Sequence, residues 1–149
     1  MRILFLGDVV GISGCSKIMN NLLDQIKVNE IDFVIVNGEN AAEAGVGLTK
    51  EICEDFFMCG VNVITTGNHV WDQKEIMNYI DKEHRLLRPK NLFEPAPGSG
   101  FEIFNIQNDV KIGVLNLMGN VFMKKCDDVF ETSKKFLENF KLKEDYDLL

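Results

Sequence analysis

The sequence predicts an α/β chain whose first half builds a parallel sheet. Three apolar runs, "RILFL", "DFVIVN" and "VNVIT", recur along the first 65 residues. A helical stretch follows each of the first two, and "DQKEIMNYID" follows the third. Strand, helix, strand, helix, strand, helix is the grammar of parallel strands joined by crossover helices, a βαβαβ unit.

The first run, after Met1, ends in the glycine-rich turn "GDVVGISG". Ile18, Leu22 and Ile26 recur at fourth positions with Met19 and Leu23 beside them, which predicts a helix from Ser16 to about Val28. After the second strand, Thr49 stands as N-cap and Ile52, Phe56 and Cys59 form one helical face, with Gly60 at the C-cap position. The third strand leads to a helix entered from Asp72. Past Leu87 the pattern changes. "RPKNLFEPAPGSG" holds all three prolines and reads as an irregular loop. "FEIFNIQNDVKIGVLNLMG" reads as two strands joined by a tight turn at Asn108-Asp109. A last helix is expected from about Val129 to Phe140, with Asp128 as cap and Glu131 at the capping-box position. The final "EDYDLL" has the look of a strand opening: either a short edge strand or the start of one cut short.

The 149 residues are one domain's length, with 46% hydrophobic and 26% charged residues, both ordinary globular values. No apolar run approaches the roughly 20 residues of a membrane span, and the N-terminal run is too short for a signal peptide, so a cytoplasmic protein is expected. Cys15, Cys53, Cys59 and Cys126 lack any CxxC pair and read as buried thiols. A net charge of -7 excludes a broad electrostatic grip on nucleic acid. An acidic protein can still process a phosphodiester where a bound metal supplies local positive charge.

The chemistry lies at the strand ends. The three strands are followed by Gly7-Asp8, by Gly38-Glu39-Asn40 and by Gly67-Asn68-His69. In a parallel sheet the carboxyl ends share one edge, where such folds bind ligands. Asp8, Glu39, Asn40, Asn68 and His69 should therefore meet in one crevice. Such a set is costly to bury unpaired, and a divalent cation removes that cost by taking the oxygens as ligands. Oxygen donors with an imidazole suit manganese, iron or zinc better than calcium, and a carboxylate can bridge two ions roughly 3.5–4 Å apart.

Bland readings stand beside each of these. Asp8 alone reads more readily as a turn or cap residue, and Gly67-Asn68-His69 alone as a turn with His69 capping the next helix. Glu39 is harder to dismiss, since glutamate is a poor turn residue. Trp71 reads as packing beneath the site. Arg88 is a candidate for a substrate phosphate, with a surface salt bridge as the alternative. Gly11, Gly14, Gly45 and Gly47 match no GxGxxG or Walker pattern and read as loop glycines. It is the joint occurrence at three successive strand ends that favours a metal site.

"GDVVG", "VNGENAAEAGVGLT", "TTGNHVWD", "RPKN", "GSGFEIF" and "KIGVLNLMG", in this order, resemble the YmdB-type branch of the calcineurin-like metallophosphoesterases. The resemblance runs from Met1 to the last residue. It implies a layered sheet and helix sandwich, of which this chain is the N-terminal part with the C-terminal half missing. It also implies a phosphodiesterase acting through a two-metal-activated hydroxide, with 2′,3′-cyclic nucleotides as the substrate class and iron or manganese, or else zinc, as the two divalent ions. By that analogy Asp8 holds the first metal, Glu39 bridges both, Asn40 and Asn68 serve the second, and His69 is the general acid. Many relatives in the wider superfamily carry Asp-x-His in the first motif and Asp in the second; Val10 and Glu39 here are typical of the YmdB branch.

The family's second half supplies further histidines as ligands, whereas this chain holds only His69 and His84. The resemblance thus implies a complementing C-terminal fragment. The alternative is an inactive fragment or regulatory binding module that keeps the front half of the fold. A homo-oligomer is compatible with either.

Overall fold

The computed structural model describes residues 1–93 and 95–149. Four parallel strands, β1 (Ile3–Leu6), β2 (Phe33–Asn37), β3 (Val63–Thr65) and β4 (Leu86–Leu87), lie side by side in chain order. Crossing between them are α1 (Gly11–Asn29), α2 (Lys50–Met58) and the single turn α3 (Ile76–Tyr79). β5 (Phe101–Asn105) and β6 (Lys111–Leu115) form an antiparallel pair, and α4 (Val129–Asn139) follows.

β2, β3 and β4 are apolar because both of their faces are covered, whereas Ile3 and Phe5 on one face of the edge strand β1 remain exposed. Val34, Val36, Ile64 and Leu86 point to one side, against Cys15 and Leu22 of α1, Cys53 and Phe56 of α2, and Ile76 of α3. Their neighbours Phe33, Val63 and Leu87 point to the other, against Ile112 and Val114 of β6. On the outer face of the hairpin, Phe101 meets Phe136 of α4 at 4.6 Å and Phe140 at 4.9 Å between ring centroids. The layers are therefore three helices, parallel sheet, hairpin and α4, the sandwich that the sequence predicts.

Several elements differ from the sequence reading. α1 begins at Gly11 and not at Ser16. Its first turn is held by a neighbouring loop: the Gly11 N–H donates to Asn40 O at 2.9 Å, and the Cys15 thiol to Ala41 O at 3.3 Å. A Cβ on Gly14 would sit 3.1 Å from a Val9 methyl, so glycine lets the helix approach closely. The third helix shrinks to four residues because the polar side chains meant for it have tertiary partners. Glu75 accepts from Lys50 N at 2.8 Å, and Gln73 donates to Val46 O at 3.1 Å. β4 is too short to carry a periodic signal, yet it pairs Leu86 with Ile64 and Leu87 with Thr65.

The caps match their expected residues. Thr49 Oγ1 accepts from Ile52 N at 3.2 Å, and Asp128 Oδ1 accepts from Phe130 N at 3.0 Å and Glu131 N at 2.9 Å. Glu131 itself pairs with Lys135 at 3.4 Å instead of completing a capping box. The hairpin turn is wider than expected, a single 3-10 turn over Gln107–Asp109 closed by Ile106 N to Val110 O at 2.9 Å. Asn108 and Asp109 both adopt positive φ, 61° and 57°, a region these residues tolerate. The terminal "DYDLL" runs beside β6, where Leu148 bridges Ile112 in parallel and Gly113 N donates to Leu148 O at 2.8 Å. Among the described residues no helix is long and apolar enough to cross a membrane. All four cysteines are free and buried, as expected, and burial raises each thiol above its usual pKa.

Candidate metal centre

The loops leaving β1, β2 and β3 are laced together by backbone bonds. Val9 N donates to Asn37 O at 3.0 Å, and Gly38 N donates to Thr65 O at 3.0 Å. A further parallel bridge joins Val10 to Asn40. This lacing brings the strand-end residues into one cluster. Asp8 takes a left-handed backbone, φ 47°, and is exposed. Its Oδ1 accepts from Asn40 Nδ2 at 2.7 Å. Since a carboxylate can only accept, this bond fixes the orientation of the Asn40 amide.

Glu39 is set deeper. The backbone N–H groups of Asn68 and His69 favour its ionised form. Its carboxylate lies directly over Gly67, where a Cβ would stand 1.8 Å from Glu39 Oε2. Gly67 is therefore required for close approach as well as for the turn. Burial raises the Glu39 carboxyl above its ordinary pKa; the nearby His69 lowers it, and Asp8 raises it further. Glu39 Oε2 and Asn40 Oδ1 are both buried with no hydrogen-bond partner. Orphaned buried oxygens are costly and rare in folded chains. With Asn37 Oδ1 they are three orphaned acceptors at and just after the end of β2, a chemistry that suits a hard or borderline cation.

The donor set is partial. Among the described residues no group of three or more His, Cys, Asp or Glu side chains converges. Asp8 and Glu39 are the carboxylates here, with Asn40 bonded to the first. His69 does not cap a helix. Its Nδ1 lies 2.6 Å from Asp72 Oδ2, and α3 starts only at Ile76. Trp71 packs against the helix-side core, as a residue beneath the site should.

Arg88 stands apart from this cluster. It is buried, and its guanidinium donates to the carbonyls of Pro89 at 3.0 Å, Pro97 at 3.1 Å and Ala96 at 3.3 Å. Its burial places it inside the loop and not on the surface. Sequence reasoning missed Asp72 as a partner of His69. The signal is present in "HVWD", a carboxylate three residues after the histidine, although by pattern Asp72 reads as the entry to a helix.

A family model described as YmdB-like protein matches residues 4–149. The chain belongs to the YmdB-like family. It is 42% identical over 131 residues to a protein named 2′,3′-cyclic-nucleotide 2′-phosphodiesterase from Bacillus subtilis, a match covering 87% of this chain and 48% of that protein. A putative phosphatase/phosphodiesterase of Mycoplasma pneumoniae is 36% identical, covering 99% of this chain and 53% of the relative. Two crystal structures share the fold. One is a hypothetical protein from Thermus thermophilus, with TM-score 0.87, 35% identity, and coverage of 95% of this chain and 54% of that one. The other is described as a novel phosphatase from Mycoplasma pneumoniae, with TM-score 0.86, 34% identity, and coverage of 95% and 52%. This YmdB-like chain spans about half the length of the curated relatives it matches.

Proposed function

We propose that the chain is the metal-binding front part of a phosphodiesterase domain, acting on 2′,3′-cyclic nucleotides or a related phosphodiester. The observation that carries the metal reading is the pair of orphaned buried oxygens, Glu39 Oε2 and Asn40 Oδ1, beside Asp8. The substrate class follows from the name of the Bacillus subtilis relative.

In this reading Asp8, Glu39, Asn40 and Asn68 would hold the divalent ions, with Glu39 shared between them. Iron or manganese fits the mixed oxygen and imidazole chemistry best, and zinc is the next candidate. Ions held there would polarise a phosphoryl oxygen and supply the attacking nucleophile from water. The residues of the chain do the rest. Gly67 keeps the floor open for Glu39. The backbone N–H groups of Asn68 and His69 favour the ionised Glu39 carboxylate. His69 gives a proton to the leaving oxygen as the phosphorus–oxygen bond breaks, a role that contributes about 10²–10⁴-fold in rate. Arg88 enters as the clamp of the proline loop and not as a phosphate ligand.

Two carboxylates and two amides leave the shells of two ions incomplete. A complementing segment equivalent to the remaining half of the relatives would supply further imidazoles. The test is metal content and hydrolysis of a 2′,3′-cyclic nucleotide, measured on the chain alone and again with such a segment added. Well under two ions per chain and little turnover alone, with both rising on complementation, is the expected result. No gain in either would favour the second reading, a non-catalytic binding module.

A further inference from the structure

We propose that the loop after β6 is the nucleobase platform of the crevice: Phe122 stacks on the base, and Lys124 and Lys125 draw in the phosphate. The inference rests on the reading of the crevice as a phosphodiester site and adds a substrate contact that no strand-end residue supplies.

The loop is built as a stapled projection. Asn91, itself buried, holds both ends at once. Its side chain donates to Met118 O at 2.7 Å and to Asp127 O at 2.9 Å, and its backbone carbonyl accepts from Asp127 N at 2.8 Å. Inside this staple Asn120 Nδ2 donates to Cys126 O at 3.1 Å. A short loop with closed ends is an Ω-type loop, a form that is frequently functional. Its tip is bare. Val121 and Met123 are exposed and Phe122 is fully so, and a Cβ on Gly119 would meet nothing within 4 Å. Phe122 also takes φ 59°, a backbone that bulky residues rarely adopt. An apolar ring held out in water by a pinned loop adds nothing to the core, and such exposed apolar patches mark binding surfaces.

The root of the loop says what meets it. β6 runs toward the carboxyl edge of the parallel sheet, where Asn116 donates to Thr66 O at 2.8 Å and to Leu87 O at 3.0 Å. Thr66 directly precedes Gly67 and Asn68. One cavity of about 660 Å³ is walled by Asn37 and Thr65 of the strand ends and by Asn116 and Leu117 at the root of the loop. The loop is therefore rooted at the rim of the crevice. The chain carries a net charge of -7, yet Lys124 and Lys125 follow the tip, exposed and with no carboxylate partner among the described residues. A flat apolar ring and two unpaired ammonium groups beside a phosphodiester site complement a nucleotide, offering a face to the base and positive charge to the phosphate. Every base has such a face, so the platform favours nucleotides over base-free phosphates without choosing among bases. An apolar tip with lysines also suits an anionic lipid surface, but the root beside the strand ends favours the nucleotide.

Binding to the chain itself, in Mn²⁺, tests this without turnover. The probes are adenosine 2′,3′-cyclic phosphate and methyl ribofuranoside 2′,3′-cyclic phosphate, which lacks the base. The chain is labelled with ¹³C-phenylalanine, and Phe122→Ala identifies the Phe122 ring signals. The wild type should bind the nucleotide about tenfold more tightly than the base-free ligand, with ring-current shifts at Phe122. Phe122→Ala should erase that advantage and leave the base-free affinity unchanged, Phe122→Trp should keep it, and Lys124→Gln with Lys125→Gln should weaken both ligands alike. No measurable binding of the nucleotide, or equal wild-type affinity for the two ligands, overturns the proposal. So does a base advantage that survives Phe122→Ala. Binding to phosphatidylserine–phosphatidylcholine vesicles that Phe122→Ala abolishes, with no base advantage in solution, would assign the tip to a lipid surface instead. A Phe122-dependent base advantage that is indifferent to Mn²⁺ would keep the platform and remove the metal centre.

Discussion

Two polar clusters are built at and beside the carboxyl edge of the same sheet, and they are finished differently. Around the proline loop, Asn91 is 1% exposed. It donates to Met118 O at 2.7 Å and Asp127 O at 2.9 Å, and accepts from Met118 N at 2.9 Å. Asn116 donates to Thr66 O at 2.8 Å and Leu87 O at 3.0 Å, which ties the hairpin to the parallel sheet. Arg88 is likewise committed to carbonyls. At the ends of β1, β2 and β3, by contrast, Glu39 Oε2 and Asn40 Oδ1 are buried with nothing to accept from. Burial is common to both clusters; satisfaction is not. A satisfied polar residue holds the fold, and an orphaned one marks where a ligand completes it.

That contrast is sharpest under substitution. Asn91→Ala strands several buried backbone groups at once and should cost about 3 kcal/mol, read as a fall in the urea midpoint. Asn116→Ala removes two bonds between layers and should cost about 2 kcal/mol by the same measurement. A midpoint unchanged in either variant would break the structural half of the comparison. In the orphaned cluster the order reverses. Gly67→Ala forces the Glu39 carboxylate aside and should abolish metal binding, while costing the fold only about 1 kcal/mol, since the atoms displaced are the far end of a flexible side chain.

Glu39→Gln should change stability least, and upward. In the metal-free chain burial raises the Glu39 carboxyl, so the folded state holds its proton more firmly than the unfolded state does. Its ionised form therefore opposes folding at neutral pH. The penalty fades as pH falls through the raised folded value and is gone below the unfolded carboxyl range, about 4.3. The gain from Glu39→Gln should accordingly be present at pH 7, a few degrees in Tm at most, and vanish under acid. A gain that grew as pH fell would contradict the burial argument.

Much of this was legible in the sequence because it rests on local patterns. The three strand ends with their glycines are such a pattern, as are the Thr49 and Asp128 caps and the alternation that builds a parallel sheet. What escaped the reading depends on partners far along the chain. Val10 and Gly11 enter α1 through the loop at Asn40. Glu75 and Gln73 leave the third helix for Lys50 and Val46. Arg88 reads as a surface cation beside a proline and is in fact turned inward onto loop carbonyls. Topology places the ends of β1, β2 and β3 on one edge, where Asp8 meets Asn40; that Gly67 serves Glu39 by lacking a Cβ becomes visible only in three dimensions.

The central claim is that the orphaned oxygens await a divalent cation, and the most direct measurement is the thermal midpoint with and without Mn²⁺. A ligand that binds only the folded state raises stability by RT ln(1 + [L]/Kd), about 2.7 kcal/mol at one hundred times Kd. Wild type and Asn91→Ala should start at different midpoints and show a similar Mn²⁺-dependent gain in stability. Glu39→Gln should start at or above wild type and show no Mn²⁺-dependent rise. A Glu39→Gln chain that responds to Mn²⁺ as wild type does would contradict the metal reading.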